Sequence, residues 1–253
     1  MEPLRPAPQA IGFDLFNTLL AIHPSAMAEA HTNIIQVLHE KGYDVDAKAF
    51  SRAYIEAAKG FIAETKKDGR ETHNRYWIAS ALENLGHTVS AEDARIEAAV
   101  DAYFSAFYPH CELIPGTIEM LEALSGRFAL GLLTNFTHPP AVRKIIDMLG
   151  LAPYFPIILI SGDLGFRKPH PSVFRELISE LGMAPEKIIY VGDDPEADIH
   201  GAGQAGLRPI LTTAVRDQNI ASAQTLLSPG PINCPPDVPR ISKWEELHSL
   251  LHD

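Results

Sequence analysis

Four short stretches of the sequence concentrate residues that can do chemistry. Phe13-Asp14-Leu15-Phe16-Asn17-Thr18 sets a carboxylate at the end of the apolar run 10–13. Thr134-Asn135 closes the apolar run 128–134, and Arg167-Lys168-Pro169 places two cations ahead of a proline. Gly192-Asp193-Asp194-Pro195-Glu196-Ala197-Asp198 puts four acidic residues into seven positions. Gathered in one place, Asp14, Asp193, Asp194 and Asp198 would repel one another. Two like charges about 4 Å apart cost roughly 4 kcal/mol at an effective dielectric near 20. Such a group needs a cation or protons, and a hard oxygen-ligand site with open water positions suits Mg²⁺. Lys168 adds a compact positive charge, while Thr134 and backbone amides add donors. The set describes a pocket for a small dianion with its own metal. An aspartate beside that metal can attack phosphorus and form an aspartyl-phosphate, with the metal and Lys168 holding the charge on the transferring oxygens.

Each residue taken singly has an ordinary reading. An aspartate after a strand is commonly a cap or turn residue, and Thr-Asn favours loops. A lysine before proline is usually a solvated cation. Acidic residues over 193–198 suit the N-terminus of a helix. The force of the pattern lies in four signals, in order, each at the end of an apolar run.

The elements that must position them follow from periodicity. From residue 115 onward the spacing predicts helices over 117–124, 141–149, 171–181 and 196–205. They alternate with apolar strands over 128–134, 157–161, 187–192 and 208–212. That alternation means a parallel sheet covered on both faces, with ligands at the carboxyl ends of its strands. The first strand, 10–13, stands apart from the rest. Between them lies a stretch with helical period throughout. Met27, Ala30, Ile34, Val37 and Leu38 mark one helix closed by Gly42; Phe50, Ala53, Tyr54, Ala57 and Phe61 mark a second. Trp77, Ile78, Leu82 and Leu85 mark a third ended by Gly86. A fourth carries Ala99, Val100, Tyr103, Phe104 and Phe107, with Ser90 and Asp93 as its capping box and Pro109 as its stop. At this spacing Tyr54, Phe61, Trp77 and Tyr103 read as the packed interior of the insert rather than as a ligand wall. The proline-rich stretch 228–239 reads as an irregular loop, and a last helix spans 243–251. The organisation is one α/β core, residues 1–21 and 111–253, interrupted by an all-helical module over 22–110. Two linkers near 20–24 and 109–116 would let that module hinge over the strand ends.

On these four motifs the chain resembles the haloacid dehalogenase-like hydrolase superfamily. The resemblance covers nearly the whole chain and implies a Rossmann-like parallel-sheet core with an inserted all-helical cap domain of the C1 type. It implies that Asp14 is the nucleophile and a metal ligand, that Phe16 supplies a backbone carbonyl to Mg²⁺, and that Asp193 is the second carboxylate ligand. Thr134 and the Asn135 amide would bind the transferring phosphoryl oxygens, and Lys168 would neutralise charge there. Thr18 would support the first motif, and Asp194 and Asp198 would orient metal-bound water or hold Lys168. The activity implied is that of a phosphatase on a small phosphorylated substrate.

One departure matters. Family phosphatases carry a second aspartate two residues after the nucleophile, and here that position is Phe16. General acid–base help is typically worth 10²–10⁴-fold, so another group supplies the proton, or turnover is slow, or the reaction needs no proton at that spot. His23, His138 and His170 lie nearest in sequence to the motifs. Phe16 also suits the family's 2-haloacid dehalogenases, which use no metal. The pair Asp193-Asp194 opposes that reading, because two carboxylates without a cation are electrostatically costly. A phosphonate hydrolase would need a lysine from the cap, for which Lys41, Lys48, Lys59, Lys66 and Lys67 are available. A degenerate member that only binds a metabolite or partner is the remaining alternative.

Composition bounds the rest. With 253 residues, 46% hydrophobic and 21% charged, the chain is long enough for a real core and too apolar to be disordered. A formal net charge of −11 argues against a nucleic-acid face and against adhesion to anionic membranes. No apolar run reaches membrane-spanning length, and the start, Met1-Glu2-Pro3-Leu4-Arg5-Pro6, lacks the regions of a signal peptide. A cytoplasmic protein is expected. Cys111 and Cys234 make no metal spacing and read as two reduced thiols. Nothing in the sequence specifies a number of subunits.

Overall fold

The computed structural model describes residues 7–223 and 234–251. The start of the chain and part of the proline-rich loop therefore lie outside the described residues. The chain opens with β1 (Ala10–Phe13), then β2 (Leu20–Ile22). Four helices follow: α1 (Ser25–Glu40), α2 (Ala47–Asp68), α3 (Asn74–Asn84) and α4 (Ala94–Ser105). After them come β3 (Cys111–Leu113), α5 (Thr117–Ser125), β4 (Ala129–Thr134), α6 (Pro139–Met148), β5 (Ile157–Ile160), α7 (Ser161–Leu164) and α8 (Pro171–Leu181). The last elements are β6 (Ile188–Gly192), a π-type turn over Pro195–His200 running into α9 (Gly201–Gln204), β7 (Arg208–Thr212), α10 (Ala214–Asp217), β8 (Arg240–Ile241) and α11 (Trp244–Leu251).

Six strands form a parallel sheet in the order β5-β4-β1-β6-β7-β8. Successive side chains of a strand point to opposite faces, and here both faces are buried. Leu133 and Tyr190 pack against Val173, Phe174, Leu177 and Leu181 of α8. Ile11, Phe13, Leu132 and Val191 turn the other way, into the cluster that holds Met120, Leu121 and Leu124 of α5 and Trp244 of α11. That two-sided burial is why the strands read as continuous apolar runs. The sheet with its covering helices is a Rossmann-like α/β fold.

Several elements differ from the sequence-based expectation. The two stretches read as linkers pair with each other: β2 and β3 are antiparallel, with Ala21 opposite Glu112. The chain thus enters and leaves the four helices through one hydrogen-bonded stem, extended by His23 N–H to the His110 carbonyl at 2.8 Å. Three residues are too few to show alternation, and the two-residue β8 escaped for the same reason. Helix α6 begins at Pro139, earlier than periodicity suggested, because a proline in the first helical turn gives up no needed hydrogen bond. Ser90 is not part of the cap of α4. Asp93 alone accepts from Arg95 N–H at 2.8 Å, while the Ser90 hydroxyl accepts from Glu92 in the preceding turn. Helix α4 ends at Ser105, and Pro109 sits in a separate short turn. Both cysteines are free and buried, and burial pushes the Cys111 thiol up to about 12.

Candidate active site

The carboxyl ends of β1, β4 and β6, three adjacent strands, deliver Asp14, Thr134 and Asp193 to one crevice. Lys168 arrives from the loop before α8 and is the centre of the arrangement. Its ammonium lies 2.6 Å from Asp14 Oδ1 and 2.7 Å from Asp198 Oδ1, and also meets the Tyr190 hydroxyl at 2.9 Å and the Leu133 carbonyl at 3.0 Å. Tyr190 spends its own proton on the Leu133 carbonyl at 2.8 Å, so its oxygen can accept from Lys168. Burial by itself would lower the lysine. The carboxylates of Asp14 and Asp198 outweigh it and hold the ammonium well above its ordinary range. Thr18 donates to Asp14 Oδ2 at 3.2 Å, so both oxygens of Asp14 are held.

Negative charge exceeds positive here. Asp14, Asp193 and Asp198 each offer an oxygen within 4.8 Å of the others. Burial, with Asp14, Asp198 and Asp194 nearby, raises Asp193 well above the usual carboxylate range. Burial also lifts Asp198 to about 7, against the pull of Lys168. Carboxylates that resist ionising together are the donor set a divalent cation relieves. The residues present therefore fit Mg²⁺. Close packing keeps Asp198 in place: a Cβ at Gly192 would stand 2.3 Å from its carboxyl carbon. Asp198 Oδ2 accepts from Asp194 N–H at 2.9 Å.

Two carboxylates stood as candidates to hold Lys168, and only Asp198 does so. Asp194 caps the turn that follows β6, accepting from Glu196 and Ala197 N–H. Asn135 is committed differently again. Its side chain clamps the backbone of Lys168 from both sides, at 2.8 and 3.0 Å. Thr134 Oγ1 is buried and, among the described residues, has no hydrogen-bond partner. A buried hydroxyl without a partner is costly, and this one lines the cleft beside Asp14.

The cleft has a volume of about 480 Å³ and a second wall from the helices α1–α4. Tyr54, Trp77 and Tyr103 serve both as helix interior and as part of that wall, whereas Phe61 does not reach it. Phe16 lies stacked on Phe136 at 4.9 Å. Among the histidines near the motifs, none lines the cleft. His23 bonds the Ser25 hydroxyl, His170 caps α8, and His138 stacks on Phe104 beside Asp101. His31, which no motif flagged, does line it. Lys41, Lys48, Lys59, Lys66 and Lys67 do not, and Lys59 and Lys67 pair with Glu56 and Glu64 on the surface.

The helical segment also grips the core at its tip. Arg70 and Phe166 form an antiparallel bridge, with Glu71 N–H to the Gly165 carbonyl at 3.0 Å and Arg167 N–H to the Gly69 carbonyl at 2.9 Å. Gly69 has φ +73°, and a Cβ there would meet His170 at 2.9 Å. The buried Glu71 carboxylate accepts from the Ser161 hydroxyl at 2.5 Å and from Arg167 at 3.3 Å. Neither Glu71 nor Tyr190 was singled out from sequence. A lone hydroxyl inside the apolar strand 188–192 was the available signal for Tyr190, and Glu71 had none.

This fold and crevice define a hydrolase of the haloacid dehalogenase-like type. Residues 8–206 match that family's model, and the chain belongs to the family. It is 33% identical over 207 residues to ribulose-1,5-bisphosphate 5-phosphatase of Halopiger xanaduensis, covering 80% of this chain and 83% of that protein. It is 31% identical over 205 residues to glyceraldehyde 3-phosphate phosphatase of Methanopyrus kandleri, covering 79% and 81%. Among solved structures, a 2-haloacid dehalogenase from Pseudomonas syringae shares the fold with a TM-score of 0.71 at 23% identity, over 96% of this chain and 98% of that one. Among the described residues, no helix is long and apolar enough to cross a membrane.

Proposed function

We propose that this chain is a Mg²⁺-dependent phosphatase of a small organic phosphate, working through an aspartyl-phosphate on Asp14. The observation that carries the reading is the placement of Lys168 between Asp14 and Asp198, with Asp193 within reach and the Thr134 hydroxyl unpartnered beside them. The phosphatases among its relatives support phosphorus as the atom attacked. We read residues 1–21 and 111–253 as the core domain, 22–110 as the cap, and the cytoplasm as its compartment.

In this reading Asp14 attacks phosphorus, and the bond from phosphorus to the ester oxygen breaks with its electrons going to that oxygen. Thr134 and the backbone amide of Asn135 donate to the phosphoryl oxygens, and Lys168 offsets their charge. Asp14, Asp193 and the Phe16 carbonyl would hold Mg²⁺, which when bound would supply charge neutralisation at those oxygens. Water then attacks the phosphorus, releasing inorganic phosphate and restoring Asp14, while its proton passes to solvent. Phe16 cannot protonate the departing alcohol, and that proton comes from water entering the cleft.

The other hydrolase readings lose support on specific grounds. Metal-free dehalogenation leaves the three carboxylates Asp14, Asp193 and Asp198 to share the single ammonium of Lys168, and an imine route has no cap lysine at the cleft. The test is phosphate release from small phosphate esters with Mg²⁺ and with a chelator. We expect release that needs the metal and falls about 10⁴-fold in Asp14→Asn. Full activity in Asp14→Asn would remove the nucleophile assignment, and absence of release from every ester would favour a protein that only binds.

A further inference from the structure

The aromatic part of the cleft draws on the loops after β1 and β4, through Phe16 and Phe136, as well as on the helical segment. An aromatic run begins at Phe16, two residues from the nucleophile, and continues through Phe136 at 4.9 Å and Phe104 at 5.1 Å to Phe107 at 5.5 Å. Trp77 completes the wall, and its indole N–H is spent on Thr72 Oγ1. It therefore presents only an apolar face. The cations that line the cleft are Lys168, committed to carboxylates, and Arg167, paired with the buried Glu71. No helix of the cap adds a cation to that lining among the described residues.

Polar groups on this wall are few and sit together around Tyr54. Its hydroxyl donates to Asn74 Oδ1 at 3.0 Å, and its ring meets His31 edge-on at 5.8 Å. His31 Nδ1 lies 2.9 Å from the Met27 carbonyl, which can only accept, so Nδ1 carries the proton. In the neutral ring Nε2 is then a bare acceptor, without a hydrogen-bond partner among the described residues.

Resting on the phosphatase reading, we propose that the substrate is the phosphate monoester of a flat, uncharged, unsaturated alcohol, its ring lying along the aromatic run, rather than a polyol phosphate or a bisphosphate. A sugar chain in this cleft would set its hydroxyls against Phe and Trp faces. Each hydroxyl left unpaired costs on the order of tenfold in affinity. A second phosphate would find no free cation in the cleft lining among the described residues. A flat ring instead gains stacking and apolar burial. His31 Nε2 is the acceptor for a polar edge on that ring.

The test compares benzyl phosphate with glycerol 3-phosphate, both esters of primary alcohols. We expect kcat/KM for benzyl phosphate to exceed that for glycerol 3-phosphate by about tenfold or more. Trp77→Ser should bring the ratio close to one. Ile55→Asn, on the cleft's exposed rim where folding is not at risk, should lower the ratio by about threefold. Equal rates on the two esters, or faster turnover of glycerol 3-phosphate, would overturn the proposal. Binding of both esters to the Asp14→Asn protein by calorimetry separates this from the reaction itself. Tighter binding of benzyl phosphate without turnover in the wild type would sink the phosphatase reading and keep the ring preference. Equal or weaker binding of benzyl phosphate would sink the ring preference whatever the enzyme hydrolyses.

Discussion

The two walls of the cleft are built on opposite principles. The core wall is polar and tightly specified. Lys168 touches four acceptors, Asp14 is held at both oxygens, and Asn135 clamps the lysine's backbone. The opposite wall, formed by the cap helices with Phe16 and Phe136, is largely aromatic. Charge chemistry needs fixed geometry, because a misplaced charge in a buried site is expensive. An apolar wall tolerates many shapes and discriminates by what it cannot pair. On the proposed reading, the difference means that reaction and selectivity can be varied separately in this molecule.

The comparison can be broken most severely at Lys168. Replacing it with Met leaves Asp14, Asp193 and Asp198 with no cation from the chain. We expect a loss of about 3–5 kcal/mol in urea unfolding, the usual consequence of stranding buried charge. A loss below 1 kcal/mol would show that the core wall is not held by this ammonium. Phe16→Asp moves one residue from the aromatic side to the polar side. It forfeits the stack on Phe136, worth about 0.5–1.5 kcal/mol. It also gains a proton carrier, so kcat on unactivated alkyl phosphates should rise by about 10²-fold. No gain would mean that proton delivery does not limit the wild type.

Glu71 is where the walls are joined. In Glu71→Ala, Arg167 loses its carboxylate and Ser161 keeps only its longer contact, to the Phe136 carbonyl at 3.4 Å. Stability should drop by roughly 1–3 kcal/mol, and the cap helices should exchange amide hydrogens faster than the sheet. Unchanged exchange would assign the join to the stem β2–β3 alone. The smallest effect is expected at His138, which stacks on Phe104 between the walls. Burial lowers its pKa, and Arg75 and His73 lower it further, against the opposing pull of Asp101. As pH falls below the ordinary 6.5 the unfolded chain therefore takes up a proton first. The contribution is present above that pH and is lost as pH falls through the lowered folded value. Thermal melts from pH 7 to 5 should show a decline that His138→Asn reduces.

Some of this was legible in the residue order. Apolar runs alternating with helical periodicity determine a parallel sheet, because strands buried on both faces must be apolar throughout. Loops at the carboxyl ends of adjacent strands must share a crevice, so Asp14, Thr134 and Asp193 could be placed together from their positions after apolar runs. Tertiary packing alone decided which groups touch. Asp198 rather than Asp194 reaches Lys168 because the chain after β6 turns within the π-type segment, spending Asp194 on its backbone N–H groups. Tyr190 reaches Lys168 from within β6, ahead of the motif at its end, His31 lines the cleft from a helix with no motif, and Glu71 braces Arg167 from a loop with none. The pairing of β2 with β3 joins segments some ninety residues apart. Local spacing reports which face a side chain takes on its own element. What that face meets depends on how distant elements pack, and no short pattern encodes it.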